Sequence, residues 1–362
     1  MNNVDLIRKF RDAVNANDFV LFKYKNNQDR NHWNCICSAM DWITVAIEYI
    51  SKTHHKREDS IEVFAYISSI DIIIEAVQQL YRVLCNTKNT LFAADKDIFS
   101  DNQFRQTDLE YFKTIRACFG AHPVNLDEPS DSQNKSKRRF ASWSGNGFGK
   151  GDYSVILYSN QPDGEYICLD INFEQLNAFL TKYYSYLETL INEIERQYNE
   201  FRSKMISRKF KCDGTPLERL VILKKECALR LNNDYFRTTI DELHLLYETP
   251  ISCDNNVEMV VQYRNALTNL IDEISDNLQN MKFCDLEYDS ILDPQPGCLR
   301  NGWQYWYEKL SQYIFGSGYP SQLWQKNIEE IFKGYFVFEY KSFDELYLLV
   351  KAALYKLSLN SG

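Results

Sequence analysis

NFEQLNAFLTKYYSYLETLINEIERQYNEFRSKMI, residues 172–206, is the stretch on which the fold class turns. Asn172 can accept hydrogen bonds from the unpaired N–H groups at a helix start, and Gln175, three positions on, stands where a reciprocal cap belongs. Leu176, Leu180, Tyr183, Leu187, Leu190, Ile194, Tyr198 and Phe201 then recur at near-heptad spacing, which predicts one long helix with a continuous apolar seam. Such a seam suits the last helix of a four-helix bundle or a contact between two copies of the chain.

Working outward toward the N-terminus, HWNCICSAMDWITVAIEYIS (32–51) puts Trp33, Ile36, Cys37, Met40, Ile43, Ile47 and Ile50 on one helical face. After a charged turn containing His54 and His55, expected to be exposed, Ser60 can cap a second helix running to about Cys85, with Phe64, Ile67, Ile70, Ile74, Val77, Tyr81 and Leu84 inward. Residues 1–30 begin with a short helical pattern, Leu6, Phe10 and Val14, that reads as an arm or packing helix. Between these elements and the long helix, Tyr153 to Tyr158 and Glu165 to Ile171 alternate in polarity and are joined by Asn-Gln-Pro-Asp-Gly, the pattern of a β-hairpin. The glycines at 145–151 lack the Gly-Lys-Ser/Thr ending of a phosphate loop. Residues 1–206 therefore predict a helical bundle with a β-hairpin insertion at about 139–171.

A polar boundary, SRKFKCDGTP (207–216), carries Gly and Pro. Beyond it, residues 217–362 predict a second, all-helical domain, with helices over 217–231, 234–247, 255–281, 303–315, 321–332 and 342–359. Ser342 with Glu345 spells a capping box, and Trp303, Trp306 and Trp324, at helical spacing, are expected in a core rather than a ligand cage. The fold class is mainly α.

Composition narrows the function classes. Of 362 residues 44% are hydrophobic and 14% aromatic, with 24 Tyr and 22 Phe, so cores packed from large flat side chains are expected. The net charge of −9 makes the chain a poor general binder of nucleic acid, and any RNA contact must be local. The 10 cysteines show no paired CxxC spacing and read as reduced thiols, and Cys35-x-Cys37 near His32 has no second ligand pair for zinc. No apolar run approaches the ~18 residues that span a bilayer. A soluble, cytoplasmic protein without metal or cofactor is the expectation.

One stretch points to chemistry. FRQTDLEYFKTIRACFGAHPVNL (104–126) predicts a helix capped by Thr107 or Asp108, with Leu109, Phe112, Ile115 and Phe119 on its apolar face. It should end near Gly120, with Pro123 pushing His122 into an extended conformation. Residues six apart on an unbroken helix point roughly 120° away from each other. Arg116 and His122 can therefore share a target only if the chain turns between them, and Gly120 is expected to supply that turn. A fixed cation and a titratable imidazole would then face one phosphate, the arginine gripping its oxygens and the histidine moving protons near neutral pH. Asp71 and Glu75, four apart on the second helix, form a solvated flank or bring Glu75 to pair with Arg116.

The arrangement Arg116, five residues, His122, at the end of a bundle helix, resembles the R-x(4-6)-H signature of the HEPN superfamily over about residues 30–205. Active members are metal-independent endoribonucleases and inactive members are scaffolds. The resemblance implies Arg116 and His122 as catalytic residues. It further implies a 2′-OH attack that leaves a 2′,3′-cyclic end, two protomers contributing to one cleft, and a setting in toxin–antitoxin or phage-defence systems. The basic run Lys135, Lys137, Arg138 and Arg139, the densest in the chain, either draws in the RNA backbone or is a charged loop. The alternative reading is a catalytically silent bundle that presents its helices to an antitoxin or other protein partner. Ala117 fits that reading, since many members carry a polar residue directly after the arginine. A second match, Arg237 to His244 in RTTIDELH, sits within a continuous helix and reads as a solvated face.

Overall fold

The computed structural model describes residues 4–25, 30–53, 59–121, 123–128, 137–142, 145–146, 149–297, 299 and 302–359. The chain is mainly α, and among the described residues its helices accompany a single four-stranded antiparallel sheet. It divides into two compact units, Met1–Asn199 and Glu200–Gly362.

The first unit is built on α3 (His32–Lys52) and α4 (Ser60–Leu84), preceded by α1 (Asp5–Asn15) and α2 (Phe19–Lys25). Asn31 caps α3 through the N–H of Asn34, and the Asp59 carboxylate caps α4 by accepting from Ile61 and Glu62. α4 buries more than one stripe. Ile67, Ile70, Ile74 and Val77 are joined inside by Val63, Tyr66, Ile73 and Leu80, as befits a helix covered on two sides. Phe64, expected inward, is 40% exposed, because its ring lies against the backbone of Gly120 instead of entering the core.

α5 (Asp108–Arg116) runs into a π turn over Ala117–Ala121. The long helix α6 (Phe173–Ser207) starts as its sequence predicts, with Asn172 Oδ1 accepting from the N–H groups of Glu174 (2.8 Å) and Gln175 (3.3 Å). The expected reciprocal cap is not made. Gln175 reaches Asp101 at 3.3 Å, and the first N–H, that of Phe173, is taken by Asp152 at 2.7 Å. The seam from Leu176 to Ile194 is buried. Along it, Tyr184 accepts from the Ile7 N–H, Tyr183 donates to the Leu91 carbonyl, and Phe179 packs against Phe99 and Phe112 at 5.3 and 5.0 Å between ring centres. Buried Gln197 ties three helices together, donating to the Leu84 carbonyl and accepting from Lys23 and the Tyr24 hydroxyl.

The expected hairpin is present as β3 (Tyr153–Ser159) and β4 (Ile167–Ile171), in the register Tyr153 opposite Ile171 and Leu157 opposite Ile167. Two short strands extend it, β1 (Leu126–Asp127) and β2 (Arg138–Ala141), giving the order β1-β2-β3-β4. Neither was expected as a strand, and β2 begins inside the basic run. The pairing is anchored by side chains, with Arg139 buried against Glu128 at 2.8 Å and the Asn160 side chain accepting from the Arg138 N–H.

The second unit contains α7 (Pro216–Arg230), α8 (Asp234–Glu248), α9 (Asp254–Gln279), a short α10 (Asp289–Leu292), α11 (Trp303–Ile314), α12 (Gln322–Ile331) and α13 (Phe343–Leu359). Thr215 and Glu218 form a reciprocal capping box on α7, with Pro216 in the first turn. α13 is the centre of the core, buried without interruption from Glu345 to Leu354. Trp303 and Trp324 are core residues and Trp306 packs against that core, in line with the aromatic spacing. α13 also carries Lys351, 0% exposed, whose ammonium donates to the Leu292 carbonyl and to Asp293, both at 2.8 Å, and pairs with Glu242.

Candidate functional site

Thr107 caps α5 in a full capping box with Glu110. Asp108, the other capping candidate, is buried, and its carboxylate accepts from the N–H groups of Ile98 (3.2 Å) and Phe99 (2.9 Å), pinning the preceding loop to the helix start. Phe112 and Tyr111 lock the inner face of α5 through Phe179 and Phe99. Arg116 is the last α-helical residue, held where the helix geometry changes.

Past Arg116 the chain does not turn out of the helix at Gly120. It continues to Ala121 in π geometry, which pairs each N–H with the carbonyl five residues back and shifts the facing of every later residue. Gly120 is needed for space rather than for a left-handed conformation. A Cβ there would sit 1.9 Å from Cδ2 and 2.3 Å from Cε2 of Phe64. Cys118 and Phe119 point inward, and burial pushes the Cys118 thiol up to about 12, which removes it as a nucleophile. His122, between Ala121 and Pro123, lies outside the described residues.

The Arg116 side chain is 40% exposed, and its guanidinium pairs with Asp71 at 3.2 Å. The acidic partner is thus Asp71, and neither sequence reading names it: the pair reads as a solvated flank or as bringing Glu75 to Arg116, and Glu75 is exposed one turn further on. Burial holds the Asp71 carboxyl above its usual range and the Glu75 charge adds to this, while Arg116 and Lys113 act in the opposite direction. Alongside the π turn is a cavity of about 250 Å³, framed by Phe64 of α4, Phe119 and Gly120 of the turn, and Val155 of β3. No spacing rule links those positions. The readable hint was Phe64 and Gly120, a large apolar residue and a glycine at the ends of two helices.

The basic run is divided by the sheet. Lys135 lies outside the described residues, and Lys137 is exposed just before β2. Arg138 pairs with Asp127, and Arg139 is buried between Glu128 and the Glu165 carbonyl, which it reaches at 2.5 Å. The second match is held by its own helix, Arg237 with Asp234 at 2.7 Å and His244 with Glu248 at 3.3 Å. His54 and His55 lie outside the described residues.

Among the described residues no group of three or more His, Cys, Asp and Glu is placed to hold a metal ion, the cysteines are free thiols, and no helix is long and apolar enough to cross a membrane. Comparison with protein-family models, with curated proteins and with solved structures gives no match to this chain.

Proposed function

We propose that the first unit is a metal-independent endoribonuclease of the HEPN type, acting as a toxin or phage-defence effector. The observation that carries this reading is the π turn beginning directly after Arg116 and packed between α4 and β3, since π insertions in α-helices concentrate at functional sites. Arg116 grips the scissile phosphate with its two-pronged guanidinium, which Asp71 holds in place before the substrate arrives. The ribose 2′-OH attacks the adjacent phosphorus, the P–O5′ bond breaks, and His122 manages the protons. The products are a 2′,3′-cyclic phosphate and a 5′-hydroxyl. With a net charge of −9, affinity comes from a few local cations, Lys137 among them.

The test is incubation of the pure chain with labelled RNA in EDTA. Wild type should cleave, and His122→Ala and Arg116→Lys should lose about 10²- to 10⁴-fold in rate, the range of positioned proton transfer. RNA left intact with and without divalent metal would favour a silent scaffold for a protein partner. That second reading has its own support in the exposed Trp42 on α3, which lines an apolar groove of about 350 Å³ with Cys35, Ala39, Ile72 and Ala76.

A further inference from the structure

We propose that the cavity beside the π turn is a nucleobase pocket, in which the base adjoining the scissile phosphate stacks on Phe64. The proposal rests on the ribonuclease reading for the origin of that base, but the pocket's own features select its ligand class. Ile61, Phe64, Phe119 and Val155 supply apolar walls, Ser60 and Ser142 also line the space, the Ser142 hydroxyl accepting from the Ile156 N–H at 2.9 Å, and the volume between them is about 250 Å³. A base is flat and apolar on its faces and polar at its edge, and single-stranded RNA is read by stacking on aromatic rings with hydrogen bonds to base edges.

Phe64 occupies an unusual place for a residue on a core helix. Phe64 is 40% exposed and the neighbouring Ile61 63%, so both forgo the burial that Val63, Ile67, Ile70 and Ile74 achieve on the same helix. The ring is held at the cavity by the missing side chain of Gly120, where any Cβ would overlap it. The position relative to the phosphate grip also fits. Phe64 and Asp71 are seven residues apart on one face of α4, a rise of ~10 Å, and Asp71 carries Arg116. One nucleotide bridges such a gap between its phosphate and its base.

Calorimetric titration of the full chain with adenosine 5′-monophosphate, against ribose 5-phosphate as the base-free control, tests this, because neither ligand has a phosphodiester to cut. The mononucleotide should bind roughly five- to hundredfold more tightly than the sugar phosphate, the range that stacking of one base supplies. Phe64→Ala should erase the difference and Phe64→Tyr should keep it. Gly120→Ala should weaken mononucleotide binding by displacing the ring, with circular dichroism unchanged. Equal binding of the two ligands, or a preference indifferent to Phe64→Ala, would overturn the pocket. The two claims separate cleanly. Base-dependent binding without cleavage in EDTA removes the ribonuclease and keeps the pocket, while cleavage with base-independent binding does the reverse.

Discussion

At Arg116 two anions compete for one guanidinium, the Asp71 carboxylate in the resting chain and a phosphate in the proposed complex. The resting pair is partly exposed, at 40% and 20% for its two side chains, so it is worth at most about 1 kcal/mol. Burial nonetheless raises the Asp71 carboxyl, which means the folded chain holds that proton more tightly than the unfolded chain does. The stability linked to this proton is greatest below the unfolded carboxylate value and falls as pH rises through the raised folded value. Asp71→Asn should remove that fall and leave the melting temperature at pH 7 within about 4 °C of wild type. A larger drop in melting temperature would make the pair a structural strut. Arg116 was legible as a candidate from its spacing to His122. Asp71 was not, because it and Glu75 lie one turn apart on the same side of α4, and the crossing of α5 over α4 chooses between them.

At the scale of elements, apolar spacing carried α3, α4, α6 and all the longer helices of the second unit, although α4 and α13 bury more than the single stripe that spacing displays. The π turn was not legible. ACFGA obeys the same apolar rhythm as an α-helix, so nothing in its composition marks the change of geometry. β1 and β2 were hidden for a different reason. Arg138 and Arg139 look like solvated charge, yet in the sheet they pair with Asp127 and Glu128. The basic residues should consequently separate under mutation. Lys137→Gln should leave stability within ~0.5 kcal/mol and flatten the salt dependence of RNA binding by less than one unit of log–log slope. Arg139→Gln should lower the melting temperature, because it removes a buried cation from Glu128 and from the Glu165 carbonyl. Thermal melts and binding titrations from 50 to 200 mM salt measure both, and equal stability for the two variants would contradict the assignment of Arg139 to the sheet.

Across the molecule the two units have different characters. The second is organised on α13, where Lys351 satisfies its ammonium with Glu242, Asp293 and the Leu292 carbonyl, and Tyr347 donates to the same Glu242 at 2.7 Å. Burial opposes the charge on Lys351, but the Glu242 carboxylate and the surrounding tyrosines together outweigh it and hold the ammonium protonated well above its usual range. Lys351→Ala strands Glu242 and should cost about 3–5 kcal/mol in urea denaturation. Lys351→Met with Glu242→Gln should recover part of that, and an unshifted midpoint for the single variant would refute the pairing. The sequence showed α13 as an apolar helix but gave no sign of this network, whose members come from α8, α10 with its following loop, and α13. The first unit holds the chemistry proposed here, and the ends left on cut RNA test it most directly. Wild-type chain in EDTA should leave 2′,3′-cyclic phosphates that disappear with His122→Ala and with Arg116→Lys. Intact RNA, 3′-hydroxyl ends, or cutting that survives His122→Ala would contradict it.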